Sequence, residues 1–276
     1  MARQAEEVTG TVTVSDGVHL HYVDRGQGPV LLLVHGMWGS SRFFARQIGS
    51  LRNRYRVIAP DLRGHGRSSM TLSDQAVPCY ARDMRQFLRK LGVESFVAVG
   101  WSMGAFVCWD YVRQFGPAGM RGLVVIDQPP SDWQSEQIPD ALISHETLRL
   151  WHYRLLTERN ALIREIVPMM FAKQPSPEDM VWMFDEMTRA PEAVAAAILV
   201  DQSLREYQDV LKDFPVPTLV CGGGRSAQPR EGLELIVKCA ANASLSIFED
   251  CGHCLFIENP DRFNSEVDRF ASALPE

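Results

Sequence analysis

The stretch VAVGWSMGAF, residues 97–106, decides the fold. A run of valines and alanine enters Gly100-Trp101-Ser102-Met103-Gly104, and SMGAFVCWDYVRQFG (102–116) leaves it with helical spacing. G-x-S-x-G between a strand and a helix specifies a tight turn. Its glycines let the helix pack close to the strand, and the serine backbone is strained. Ser102 Oγ is then lifted above a sheet at a helix N-terminus. The competing reading is a glycine-rich turn with a chance serine, and the strand and helix flanking it outweigh that reading.

Working outward, the chain alternates strand and helix. TVTVS (11–15), the turn signal SDG (15–17) and VHLHYVD (18–24) read as a hairpin. PVLLLVHG (29–36), YRVIAPD (55–61), SFVAVG (95–100) and RGLVVID (121–127) read as strands, the longer apolar runs as strands buried on both faces. SSRFFARQIGSL (40–51) starts at a serine cap, and the segment 73–92 ends as an amphipathic helix at Gly92. This order predicts a mostly parallel sheet covered by helices, an α/β fold. It breaks at 131–212, where only helical patterns appear, and resumes with PVPTLVCG (215–222), SLSIFED (244–250) and a last helix capped by Asn259 with Pro260 in its first turn. The expected organisation is therefore a core of residues 1–130 and 213–276 with a helical lid at 131–212, placed over the strand ends where open α/β sheets bind ligands.

Composition narrows the classes. A chain of 276 residues, 46% hydrophobic and 22% charged, suits one large domain with an insertion. A net charge of -6 argues against a nucleic-acid partner, which would call for a basic face. No apolar run reaches the roughly 18 residues of a membrane span, and MARQAEEVTG lacks the apolar centre of a signal peptide. The six cysteines are scattered, and with no signal peptide they read as reduced thiols in a cytoplasmic protein. Cys251 and Cys254 form C-x-x-C, but no second pair stands at ligand spacing, so no metal is expected. The expected partner is a small-molecule substrate, and a homodimer stays open.

A serine nucleophile needs a base. Of seven histidines, His253 in FEDCGHCLFIENP lies between the last strand and the last helix, at the sheet edge that carries Ser102. His35, beside Gly36 after a buried strand, can reach the site and suits shaping a loop there, and with His152 in the insert it is a candidate for the pocket wall. His19, His21, His65 and His145 read as structural or surface residues. An oxyanion needs two backbone N–H donors. Met103, after the nucleophile, supplies one, and Met37, in the loop after LLLVHG, the other. The side chains of Met37, Trp38, Trp101 and Met103 would then wall an apolar pocket.

HGMWGSS, PDLRGHGRSS, GWSMGA and GHCLFIENPDRF, in this order and spacing, resemble the α/β-hydrolase superfamily, and more narrowly its lipase, esterase and cofactor-free haloperoxidase-like members. The resemblance covers about residues 10–130 and 213–276 and implies a triad with no cofactor. In most such enzymes the acid follows the strand matching 217–221. Here LVCGGGRSAQP (219–229) has no carboxylate, and Arg225 stands where the aspartate is usual. The superfamily's alternative position, one strand earlier, holds Asp127, followed by Gln-Pro-Pro. Asp132 and Asp250 are the competing acids, and a turn-capping role is the competing reading of Asp127. Arg225 reads first as a salt-bridge partner of a nearby acid, with donation to a substrate carboxylate or carbonyl as the alternative.

The resemblance implies hydrolysis of a carboxylic ester or lactone through an acyl-enzyme on Ser102. Superfamily members with the acid at this earlier position include cofactor-free ring-cleaving dioxygenases of 3-hydroxy-4-quinolones. Those would carry a histidine beside the serine, where Trp101 stands. Dehalogenation needs an aspartate in place of Ser102. A receptor of the same fold without catalysis is the remaining class, and covalent labelling with ester turnover separates it from the enzymes.

Overall fold

The computed structural model describes residues 8–275. The reading of MARQAEEVTG as something other than a signal peptide therefore falls largely on residues 1–7, outside those described. Strands β1 (Val8–Thr13) and β2 (His19–Arg25) form an antiparallel hairpin about a short 3₁₀ turn at Ser15–Gly17. Then follow β3 (Val30–Val34), α1 (Ala45–Leu51), β4 (Arg56–Pro60), α2 (Val77–Lys90), β5 (Phe96–Trp101), α3 (Met103–Phe115) and β6 (Met120–Ile126). Five helices come next: α4 (His145–Thr157), α5 (Arg159–Met169), α6 (Pro177–Met187), α7 (Glu192–Ser203) and α8 (Gln208–Leu211). The chain closes with β7 (Thr218–Gly223), α9 (Arg230–Cys239), β8 (Ala243–Phe248), α10 (Leu255–Glu258) and α11 (Pro260–Ala273).

The eight strands lie in the order β1-β2-β4-β3-β5-β6-β7-β8. β2 pairs antiparallel with β1 and β4, and every later pairing is parallel. Parallel strands need crossovers, and helices supply them on both faces. The continuous apolar runs are buried accordingly: Leu31 to Val34, Val57 to Ala59, Val97 to Val99 and Leu123 to Ile126 are all 2% exposed or less. Because β5, β6, β7 and β8 run the same way, their carboxyl ends share one edge. The residues after them, Ser102, Asp127, the 224–229 loop and the 249–254 loop, converge there.

Two elements depart from the expected string. The serine-capped segment begins as a 3₁₀ turn at Ser41–Phe44, with Ser40 Oγ accepting from Arg42 N–H, before α1 proper starts. Helix α9 has no counterpart in the sequence reading, which passes from one strand to the next. The parallel pairing of β7 with β8 requires that crossover. The insert between β6 and β7 is helical but for two single bridges, Ser131 with Glu206 and Trp133 with Ile143. Asn259 caps α11 through Oδ1, which accepts from Arg262 N–H at 3.4 Å.

Contact between β3, β5 and α3 depends on absent side chains. A Cβ on Gly104 would collide with the Val34 carbonyl oxygen, and one on Gly100 would lie 2.7 Å from Ala105 N. Below the sheet edge, His35 donates from Nδ1 to the Gly36 carbonyl at 2.8 Å and accepts Leu62 N–H on Nε2 at 2.9 Å. It thereby ties the turn after β3 to the segment after β4 as a neutral ring. His65 packs 5.0 Å from it, centroid to centroid, and donates to the Arg63 carbonyl.

Gly104→Ala should destabilise the protein by about 1–3 kcal/mol through overpacking, read as a lower urea midpoint. Burial, and then the adjacent His35, lower the His65 imidazole to about 3, and burial lowers His35 as well. A base whose folded pKa is lowered binds fewer protons than the unfolded chain below about pH 6.5, so stability should fall as pH drops through that value. For His65 the loss at pH 5 should be about 2 kcal/mol. Nitrogen-15 shifts should show the His65 ring neutral near pH 5, and a urea midpoint unchanged between pH 7 and 5 would contradict the assignment.

Candidate active site

Ser102 joins β5 to α3 with φ 51° and ψ -125°, a region costly for a residue with a side chain. The turn is pinned on both sides: Ser102 N–H donates to the Ile126 carbonyl at 3.1 Å, and its own carbonyl accepts from Ala105 N–H at 2.8 Å. Met103 is the first residue of α3, so its N–H lies at the positive end of a 13-residue helix and has no acceptor within the helix. Facing it, Gly39 N–H closes on the Gly36 carbonyl, with Met37 and Trp38 between and Trp38 at φ 60°. This is a turn that takes a positive φ at its third residue. A Cβ on Gly36 would come within 3.0 Å of Ser102 Cβ, so the turn packs directly on the serine.

Asp127 follows β6 with φ 49° and is fully buried. All its carboxylate contacts are short. Oδ1 accepts from Gly223 N–H at 2.8 Å, and Oδ2 accepts from Ser226 Oγ at 2.5 Å and from His253 Nδ1 at 2.7 Å. Ser226 belongs to the glycine-rich loop that lacks an acid, and its hydroxyl holds the acid supplied by the neighbouring strand. Histidine with Nδ1 turned to a carboxylate is fixed in one tautomer, which leaves Nε2 for proton exchange elsewhere. His253 sits on the loop after β8, its ring 5.5 Å from that of Trp101.

Ser102 and His253 open on one cavity of about 90 Å³. Its apolar wall includes Met37, Trp38, Trp101, Trp151, Ile166 and Met170, and its polar wall includes Gln202, Ser226 and Gln228. The Trp38 indole N–H donates to the Ala195 carbonyl of α7 at 3.1 Å, so the turn beside Ser102 is tied to the insert.

Of the residues singled out from the sequence, Ser102, His253, Asp127, Met37, Trp38 and Trp101 come together here. Three side chains assigned to the pocket do not reach it. His35 is fully buried with both ring nitrogens engaged, and Met103 is fully buried beneath the site. His152 faces a separate surface groove with Leu156 and Ala193. Arg225 is exposed, 3.5 Å from Asp250. Asp132 lies buried on three glutamines, away from His253 Nδ1. Ser226, Gln202 and Gln228 escape a sequence reading because no motif marks them, although Ser226 stands next to Arg225 in the loop already under scrutiny. Among the described residues no group of three His, Cys, Asp or Glu is placed to hold a metal ion, and no helix is long and apolar enough to cross a membrane.

The model of the alpha/beta hydrolase family matches residues 31–266. A non-heme haloperoxidase of Rhodococcus erythropolis is 28% identical over 275 residues, spanning 94% of this chain and 98% of that protein. A bifunctional esterase/perhydrolase of Acinetobacter calcoaceticus is 30% identical over 226 residues, 78% of this chain and 81% of that one. Among solved structures, an esterase of Exiguobacterium antarcticum superposes with a TM-score of 0.92 at 20% identity, covering 96% of this chain and all of that one. With the expected sheet, the expected strand-to-helix turn and a family model spanning most of its length, the chain belongs to the α/β hydrolase family.

Proposed function

We propose that this hydrolase cleaves a carboxylic ester or lactone of a small, largely apolar molecule through an acyl-enzyme. The observation that carries the reading is the 2.7 Å contact of His253 Nδ1 with the buried Asp127, on a cavity that Ser102 shares. His253 Nε2 takes the Ser102 proton as Oγ attacks the ester carbonyl. The tetrahedral oxyanion is held by the Met37 and Met103 N–H groups, and the protonated imidazole returns the proton to the leaving alkoxide. Water, deprotonated by the same nitrogen, then attacks the acyl carbon and releases the acid and free Ser102. Asp127 fixes the His253 tautomer and stabilises the imidazolium, and residues 131–212 act as a lid whose Trp151, Ile166 and Met170 enclose the substrate. Hydrogen peroxide in place of water would give a peracid from the same intermediate, which fits the haloperoxidase and perhydrolase names of the two relatives. Six free cysteines, five of them buried, fit a reducing cytoplasmic setting.

Ser102→Ala should abolish hydrolysis of chromogenic esters and the mass increment left by an organophosphate. Persistent labelling of that variant would remove Ser102 from the role. Asp127→Asn should keep the fold and lower kcat by about 10⁴, the scale of a triad acid changed to its amide. A loss below about tenfold in steady-state assays would show that the carboxylate is not what orients His253.

A further inference from the structure

The loop that carries His253 is held by a carboxylate that the proton transfers above do not use. Glu258 ends α10, and three backbone N–H groups from two segments converge on it. Oε2 accepts from Gly252 N–H at 2.6 Å, and Oε1 accepts from Ala172 and Lys173 N–H, both at 3.0 Å. Gly252 precedes His253 in the chain, whereas Ala172 and Lys173 follow α5 in the insert. On the other side of His253, Cys254 N–H donates to the Met170 carbonyl at 2.9 Å. Both chain neighbours of His253 are thus fastened to residues 170–173, one through Glu258 and one directly. The two segments also touch: a Cβ on Gly252 would lie 2.8 Å from Ala172 N and 2.9 Å from the Met170 carbonyl oxygen.

Helix α10 is itself fixed to the core. Gln47 Nε2 of α1 donates to the Phe256 carbonyl at 2.8 Å, and the Arg46 guanidinium donates to the Ile257 carbonyl at 2.6 Å. Glu258 therefore braces both loops from an anchored helix. Met169 and Met170, just before the braced segment, line the cavity on which Ser102 and His253 open. We propose that Glu258 is a positioning residue of the hydrolysis. It fixes the His253 loop against the end of α5, so that the imidazole keeps its place while an acyl group presses on the Met169–Met170 wall. This role rests on the hydrolytic reading of Ser102 and His253, whereas the brace itself can be tested without turnover. A carboxylate only accepts, so it can meet all three N–H groups at once. An amide of the same shape cannot. Its oxygen keeps two bonds by staying on Ala172 and Lys173, which sets its nitrogen, a donor, against Gly252 N–H and releases the His253 loop.

Glu258→Gln should lower kcat for a chromogenic ester by about 10- to 100-fold, the scale of a displacement near 1 Å at a reacting group. KM should stay within about threefold, because the loss falls on a step after binding. In a His253→Ala background the same change should cost almost nothing, since the group it positions is gone. The arm without turnover reads the downfield proton resonance of His253 Nδ1–H, bonded to Asp127, in Ser102→Ala protein. Adding Glu258→Gln should broaden it or move it upfield. That change in a protein that turns over no ester would uphold the brace and remove the hydrolytic reading. Hydrogen exchange on the unaltered protein needs no variant to fold: the Gly252, Ala172 and Lys173 amides should be protected alike. Free exchange at Ala172 and Lys173 beside a protected Gly252 would break the brace. An unchanged resonance with kcat within about twofold of wild type, or equal losses with and without His253, would overturn the positioning role.

Discussion

The contact on which the rest of the site depends is the one between Asp127 Oδ2 and His253 Nδ1, 2.7 Å long, with the carboxylate fully buried. A carboxylate can be buried only if its lone pairs are met. Here a backbone N–H, a serine hydroxyl and an imidazole meet them from two segments of chain, the end of β7 with the loop after it and the loop after β8. Each donor sits at the carboxyl edge of the sheet, so the parallel order of β6, β7 and β8 is what lets one acid gather all three. Register matters too: Asp127 N–H binds the Cys221 carbonyl, which carries the ladder of β6 and β7 one residue past the end of β6 and sets where the carboxylate emerges.

Most of the fold could be read from the sequence because its signals are local and strong. Buried parallel strands are continuous apolar runs, and the Gly100–Gly104 turn has few alternatives once a strand precedes it and a helix follows. The position of the carboxylate that meets His253 Nδ1 was legible as well, but from an absence: the loop after β7 lacks a carboxylate, while one directly follows β6. Helix α9 was missed although its sequence, REGLELIVKC, is amphipathic. The need for a crossover between parallel neighbours, rather than any residue, would have revealed it.

The side chains that line the cavity were harder to read, and for a physical reason. Whether His35, His152 or Met103 faces the cavity depends on rotamers and on the angles at which the insert's helices cross, and neither leaves a period in the sequence. His35 looked like a site residue because it borders the turn beside Ser102, and it does shape that turn, but from behind and as a neutral crosslink. Gln202 and Gln228 are separated by a whole strand, and only folding joins them through Asp132.

The bond from the Trp38 indole to the Ala195 carbonyl has a mechanical consequence. Helix α7 carries Gln202 towards its end, and the turn carrying Met37 and Trp38 rests on Ser102. One bond thus fastens the roof of the chamber to the wall that faces the serine. Swinging α7 outward would require either breaking that bond or dragging the turn along. Swinging α7 out and keeping the Met37–Trp38 turn seated on Ser102 are therefore opposed motions at this corner.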